Sequence, residues 1–134
     1  MNLILFSASY PYVQGGEANF LSVETQYLSK VFDRVFIVPE TIKDSNPVVH
    51  KGLEVDTSYA ELLAITGMTK LFQLALSSEI LLRGFREPDF PRFSLTAWRR
   101  LIAFCGKAEL TRRWVLNFLH EQKLSSQDSL FYTY

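Results

Sequence analysis

The stretch that decides the fold is residues 3–39, LILFSASYPYVQGGEANFLSVETQYLSKVFDRVFIVP. Residues 3–7 form an apolar run of strand length, and the lack of a polar face is typical of a central strand in a parallel sheet. A turn-rich segment, a helical pattern over residues 17–30 and a second apolar run at residues 35–38 follow. Strand, glycine turn, helix and strand in this order predict a right-handed βαβ unit.

The rest of the chain continues the alternation of strands and helices. The pattern predicts a short strand at residues 53–55 and a helix at 59–83 that is interrupted near Gly67. It then predicts a long helix at residues 94–122, capped by Ser94, and an aromatic strand at 129–134. These elements predict an α/β fold with a central, mostly parallel sheet between helices. We expect one domain over residues 1–134, truncated before a further domain because the sequence stops within a strand-like segment.

Composition excludes several classes of protein. Hydrophobic residues make up 48% and charged residues 21% of the chain, and the formal net charge is zero, which argues against nucleic-acid binding. No apolar run reaches the roughly 20 residues of a membrane span, and no signal peptide precedes the first strand, so we expect a cytoplasmic protein. The single cysteine, Cys105, is expected to be a buried hydrophobic residue, and no Cys/His cluster predicts a metal site.

A glycine pair lies between the first strand and the first helix. Gly15 and Gly16 are expected at the carboxyl end of the sheet, where backbone amides at a helix N-terminus favour anions. The pattern is not G-x-G-x-x-G, so it gives little support to a nicotinamide dehydrogenase. An ordinary turn is the alternative interpretation of the same residues.

The first helix carries carboxylates on an apolar arc. Phe20, Val23, Tyr27 and Val31 lie on that arc, and Leu21 and Leu28 widen it. Glu17 and Glu24 fall within it at helical spacing, and a buried carboxylate requires a partner or a cleft. Glu17 can also serve the helix dipole, whereas for Glu24 an internal salt bridge and a functional role both remain open.

Residues 10–24, YPYVQGGEANFLSVE, and residues 32–39, FDRVFIVP, resemble the start of bacterial family-4-like glycosyltransferases. The resemblance implies the N-terminal half of a GT-B enzyme, a Rossmann-like three-layer domain that faces the acceptor across a cleft. Gly15, Gly16 and Glu17 match the family's loop near the donor phosphates, and Glu24 matches a characteristic helix position.

The same resemblance implies a retaining, metal-independent transfer from a nucleotide-sugar to a glycan or lipid-linked acceptor in cell-surface polysaccharide synthesis. It implies no cofactor besides the nucleotide-sugar substrate. The half that holds the nucleotide-sugar is absent from this chain, so the chain is not expected to be active alone. The alternative from another class is a self-contained flavodoxin-like module that binds a nucleotide or a partner without catalysis.

The long helix combines an apolar arc with a basic face. The predicted core-facing residues are Trp98, Leu101, Ile102, Phe104, Cys105, Ala108, Val115, Leu116 and Leu119. The opposite face contains Arg99, Arg100, Lys107, Arg113 and Trp114, which suits either a solvated face or contact with the inner face of the plasma membrane.

Arg112 is expected near the middle of the apolar arc of the long helix, where it needs an anionic partner. We predict that Glu24 is this partner. His50 and His120 are expected at the surface or as capping residues, and neither predicts a catalytic base.

Overall fold

The computed structural model describes residues 1–12, 17–42, 51–84 and 94–133. The strands are β1 (Asn2–Ser7), β2 (Val35–Pro39), β3 (Leu53–Val55) and β4 (Ser129–Thr133). The helices are α1 (Glu17–Val31), α2 (Ser58–Ile65), α3 (Met68–Leu76), α4 (Glu79–Gly84) and α5 (Leu95–Glu121). All the predicted strands are confirmed, but residues 59–83 contain three short helices rather than one helix with a single interruption. Ser94 caps α5 as predicted, since its hydroxyl accepts from the Ala97 amide at 3.4 Å.

The chain folds as two compact units, Met1–Leu63 with Leu119–Tyr134, and Ala64–Phe118. The first, here called the sheet unit, contains four parallel strands in the order β3-β2-β1-β4. The α/β class with an all-parallel sheet is thereby confirmed. This order is that of the first four strands in the doubly wound arrangement, with β1 in the interior between β2 and β4.

The core of the sheet unit lies on both faces of β1 and β2. One face buries Leu3, Leu5, Val35 and Ile37 together with Tyr10 and with Leu21 of α1. On the other face, the ring of Phe6 meets Tyr59 of α2 edge to face, with 5.6 Å between the ring centroids. Because both faces are covered, β1 and β2 are apolar throughout, as the sequence pattern predicts.

Helix α1 presents to the core only the part of its predicted apolar arc that Leu21 and Leu28 occupy. The other predicted residues are exposed: Phe20 by 63%, Val23 by 56%, Tyr27 by 63% and Val31 by 73%. The buried positions are Leu21 and Thr25, and Leu28 packs beside them against the core. Glu24 therefore lies beside an exposed apolar stripe, which removes the reason for expecting a buried partner.

The second unit, here called the helical unit, is built from α3, α4 and most of α5. Its core combines Ala75, Leu81 and Cys105, with Leu101 and Ile102 packed beside them. Burial raises the pKa of the Cys105 thiol and keeps it protonated, in agreement with a structural role for this residue.

The predicted core arc of α5 is partly wrong. Phe104 is 65% exposed and Leu116 is 55% exposed, whereas Trp114, predicted on the polar face, is buried and stacks on Phe118 with 4.9 Å between the ring centroids. Covering the large indole ring outweighs the preference that the neighbouring arginines indicate.

Candidate functional site

The candidate site lies at the carboxyl edge of the sheet. β1, β2 and β4 are parallel, so their carboxyl ends, Ser7, Pro39 and Thr133, lie along one edge. The chain leaves β1 through α1 toward β2, whereas β4 lies on the other side of β1. In open α/β sheets, such a reversal of strand order opens the crevice in which ligands bind.

The turn after β1 is held by its own backbone and by one hydroxyl. The Ser7 hydroxyl donates to the carbonyl of Tyr10 at 2.8 Å, and the Tyr12 amide donates to the carbonyl of Ser9 at 2.9 Å. The Tyr10–Pro11 peptide bond is cis. These contacts hold the turn of residues 8–12 at the end of β1.

Tyr10 also connects this turn to α1. Its side chain is 3% exposed, and its hydroxyl lies 3.4 Å from the Thr25 hydroxyl, which in turn donates to the carbonyl of Leu21 at 2.7 Å. A buried Tyr needs such a polar neighbour for its hydroxyl. The tyrosine of the quoted motif is therefore a packing residue that fixes the turn against the helix.

The end of β2 is bonded to the same turn. The Glu40 amide donates to the carbonyl of Ser7 at 2.9 Å, and the Thr41 amide donates to the carbonyl of Ala8 at 3.1 Å. Glu40 thus brings a half-exposed carboxylate to the edge at which β1 ends. This carboxylate can accept hydrogen bonds from a hydroxylated ligand, and the nearby hydroxyls can donate or accept them.

The residues predicted for ligand binding are only partly described. Gly15 and Gly16 lie outside the described residues, and Glu17 begins α1 with a side chain that also lies outside them. Both ends of the glycine loop are nevertheless placed, one at the turn after β1 and the other at the first residue of α1. Glu24 is exposed on α1.

A second constellation lies in the helical unit, around Glu109. This side chain is 7% exposed and binds two guanidinium groups from the following turn of α5. Arg112 donates through Nε and Nη2 at 2.9 and 2.8 Å, and Arg113 donates through Nε at 2.7 Å. The hydrogen bonds from Arg112 and Arg113 lower the pKa of Glu109 to about 2, and the same carboxylate raises the pKa of Arg112.

Arg112 therefore has its anionic partner on its own helix. Its side chain is 61% exposed, so the prediction that it lies in the middle of an apolar arc is wrong. The predicted pairing of Arg112 with Glu24 assumes a buried guanidinium that needs a partner. Arg112 is exposed and bound to Glu109, so this assumption does not hold.

The residues predicted to face the membrane do not all lie on an exposed face of α5. Arg99 and Arg100 are exposed and Lys107 is half-buried, but Arg113 is engaged with Glu109 and Trp114 is buried. The aromatic residue that would enter a lipid interface is thus part of the helical core. His120 is exposed in the last turn of α5, and His50 lies outside the described residues.

Sequence reasoning missed Glu109 although a local signal was present. Glutamate followed by arginine at the third and fourth positions places all three side chains on one helix face. Ser7 and Thr25 were also missed, and no local pattern distinguishes their buried hydroxyls from those of surface residues.

Within the four described ranges, no three His, Cys, Asp or Glu side chains form a group that could hold a metal ion. No helix among the described residues is long and apolar enough to cross a membrane. Comparisons with protein-family models, with curated proteins and with solved structures give no significant match to this chain. The interpretation of function therefore rests on the motif residues and on the geometry of the sheet edge.

Proposed function

We propose that this chain is the acceptor-side domain of a GT-B glycosyltransferase, which transfers a sugar from a nucleotide-sugar to a glycan or lipid-linked acceptor. The observation that carries the proposal is the position of the glycine pair between β1 and α1, at the reversal of strand order in a parallel sheet. A doubly wound α/β domain binds phosphorylated ligands at that position.

The geometry of the turn supports this role. Ser7, Tyr10 and Thr25 form a buried chain of polar contacts that joins the end of β1 to α1. Anchoring the two segments that flank the glycine pair lowers the conformational entropy that is lost when an anion binds. Gly15, Gly16 and Glu17 would face the donor phosphates, while the nucleotide would be held by a second Rossmann-like domain.

The acceptor would approach the same edge. Glu40 and the hydroxyl groups near the ends of β1 and β4 are suited to hydrogen bonds with sugar hydroxyls. Work on a lipid-linked acceptor would place the enzyme in the cytoplasm at the inner face of the plasma membrane, where the exposed side chains of Arg99 and Arg100 could contact anionic lipid.

The test uses the protein encoded by the whole reading frame that contains this chain. Transfer from labelled UDP-, GDP- and ADP-sugars to a lipid extract is measured for the native protein and for two glycine variants. Gly16→Ala, in the proposed donor loop, should lower transfer by about tenfold or more because a displaced loop misaligns the phosphates. Gly67→Ala is the matched control, since a Cβ at Gly67 meets no atom within 4 Å.

Equal transfer by Gly16→Ala and the native protein would show that the loop has no part in the reaction. No transfer from any of the nucleotide-sugars would refute the proposed glycosyltransferase activity. The competing flavodoxin-like module is tested on the chain itself by adding flavin mononucleotide. Saturable shifts of the Gly15 and Gly16 amides with the flavin, together with no sugar transfer, would favour that module.

A further inference from the structure

The helical unit contains a cavity that the proposed function does not use. It has a volume of about 540 Å³ and is lined by Ser77, Ser78, Glu79, Ala108, Glu109 and Arg112. The α3–α4 junction supplies the first three residues and α5 supplies the others. A volume of this size is in the range of small-molecule sites.

The wall of this cavity carries the carboxylates of Glu79 and Glu109 and the guanidinium of Arg112. Arg113 and Arg83 also bind these carboxylates, so three guanidiniums accompany two carboxylates. Glu109 is the buried carboxylate, and a single guanidinium would neutralise it. Two are bound instead, so the cluster of Glu109, Arg112 and Arg113 carries one net positive charge. The nearby carboxylate of Glu79 has its own partner, Arg83, at 3.3 Å.

Arg112 is the member of the cluster that can serve a ligand. A guanidinium has five N–H groups, and Arg112 directs its Nε–H and one Nη2–H to Glu109. The side chain is 61% exposed and lines the cavity, which leaves the Nη1 edge open to an acceptor among the contacts of the described residues. Bidentate binding to Glu109 fixes the plane in which these donors lie.

The second arginine fixes the opposite wall. Arg113 binds Glu109 through Nε at 2.7 Å and donates from Nη2 to the hydroxyl of Ser77 at 3.2 Å. Ser77 in turn donates to the carbonyl of Leu74 at 2.9 Å. These side chains are therefore held in place before any ligand enters, so they lose little conformational entropy when a ligand binds.

We propose that this cavity binds the phosphate group of a small organic phosphate, with Arg112 as the ligating side chain and Glu109 and Arg113 as positioning residues. A phosphate offers three oxygens that match the planar donors of a guanidinium, and the excess positive charge favours its negative charge. The volume of about 540 Å³ leaves room for the organic part of the ester.

The test is a titration of the isotope-labelled chain with inorganic phosphate and with glycerol 3-phosphate, followed by NMR at constant ionic strength. Chloride at the same ionic strength is the reference. The backbone amides of residues 77–79 and the Nε–H signals of Arg112 and Arg113 report the cavity. We expect saturable shifts with both phosphates, and tighter binding of the ester.

Arg112→Gln removes the ligating group while Glu109 keeps Arg113 as its partner, and we expect binding to weaken about tenfold or more. Lys70→Gln is the matched control, because it removes the same charge from an exposed position on α3 and should change binding less than about twofold. Arg112→Lys keeps the charge but lacks the planar fork, so intermediate binding is expected. Unfolding curves without phosphate establish that the variants remain folded.

Absence of saturable shifts with the soluble phosphates and also with phosphatidic acid vesicles, or equal weakening by Arg112→Gln and Lys70→Gln, would overturn the proposal and leave the cluster a structural ion pair. The phosphate group could also belong to a lipid headgroup. Shifts with phosphatidic acid vesicles but not with phosphatidylcholine vesicles or soluble phosphates, abolished by Arg112→Gln, would support the site and assign the group to lipid.

Discussion

The sheet unit and the helical unit bury different kinds of side chain. The sheet unit covers a continuous set of large apolar residues, which includes Leu3, Ile4, Leu5, Leu21, Val35, Phe36, Ile37 and Val38. The helical unit has smaller or polar groups at several buried positions, among them Ala75, Ser78, Cys105, Gly106 and Glu109. Burial of apolar area scales with side-chain size, so it stabilises the sheet unit more per residue.

The helical unit also buries large apolar residues, namely Leu74, Leu81, Leu110, Trp114 and Phe118, but others of this kind are exposed. Those exposed by more than two fifths include Ile65, Met68, Phe72, Leu76, Leu95, Phe104 and Leu116. Two further contacts therefore contribute to this unit, a close approach of α3 to α5 at Gly106 and the charge cluster around Glu109. We expect large apolar deletions to matter most in the sheet unit and glycine or charge substitutions to matter most in the helical unit.

The largest effect is expected for Leu5→Ala in β1. Leu5 is fully buried, and truncation of a buried leucine costs about 2–5 kcal/mol of unfolding free energy. Tyr132→Ala is the matched control, because Tyr132 is the β4 neighbour of Leu5 in the sheet but is 45% exposed, and its loss should cost less than about 1 kcal/mol. Denaturant unfolding followed by the amide signals of β2 measures both free energies. Equal costs would contradict the expectation that buried leucines stabilise the sheet unit more than exposed aromatic residues do.

The second effect is expected for Gly106→Ala. A Cβ at this position would lie 2.2 Å from the carbonyl oxygen of Leu71, a backbone atom that cannot move alone. We expect a loss of about 1–3 kcal/mol, reduced by the higher helix propensity of alanine. Gly67→Ala, which meets no atom within 4 Å, should cost less than about 1 kcal/mol.

Tryptophan fluorescence is a suitable probe for the variants Gly106→Ala and Gly67→Ala, since Trp98 and Trp114 both lie in the helical unit. If Gly106→Ala were as stable as Gly67→Ala, the α3–α5 contact would not be a determinant of this unit. A parallel measurement on the β2 amides tests whether the loss is confined to the helical unit.

The elements of the sheet unit could be predicted from sequence because their signals are local. Residues 3–7 and 35–38 are apolar runs of strand length, and the turn and helical period between them leave one plausible connection. The buried face of α1 could not be predicted in the same way. Leu21 and Leu28 define one apolar arc and Phe20 and Tyr27 an adjacent one, and only packing against the sheet selects between them.

The two candidate sites differ in the same way, since one is predicted from local sequence and the other depends on packing. The prediction that the glycine pair lies at the carboxyl edge rests on chain order alone and needs no tertiary information. The cavity of the helical unit requires Ser77 and Arg112, which are 35 residues apart, to line the same space. Such an arrangement depends on helix packing, and helical periodicity alone does not define it.

The third prediction concerns the pH dependence of the helical unit. The pKa of Glu109 is lowered from 4.5 to about 2, so the folded state favours the ionised carboxylate more than the unfolded state does. Its contribution is fully present above pH 4.5 and is lost as the pH falls toward 2. Because both guanidiniums are half-exposed or more, we expect about 1–2 kcal/mol rather than the full value of the shift.

Glu109→Gln keeps the shape and removes the charge, so it isolates this contribution. The stability difference between the native protein and Glu109→Gln should be largest near neutral pH and should shrink below pH 4.5. Denaturant unfolding monitored by tryptophan fluorescence across this range measures it. A difference that does not change with pH would assign the effect to altered packing instead of charge.

The smallest effect is expected for the ion pair of the sheet unit. Arg34 binds Glu54 through Nε and Nη2, each at 2.8 Å, and these hydrogen bonds lower the pKa of Glu54. Both side chains are more than a third exposed, so Glu54→Gln should cost less than about 1 kcal/mol, and less again at high salt.

Glu79→Gln provides the comparison for a pair with still greater exposure, since Glu79 is 82% and Arg83 is 79% exposed. Its loss should be smaller than that of Glu54→Gln in denaturant unfolding at low salt, and neither should approach the loss for Glu109→Gln at neutral pH. The ranking separates burial from mere pairing, because all three carboxylates have an arginine partner and only Glu109 is withdrawn from water. A cost for Glu54→Gln equal to that of Glu109→Gln would show that charge pairs serve both units alike.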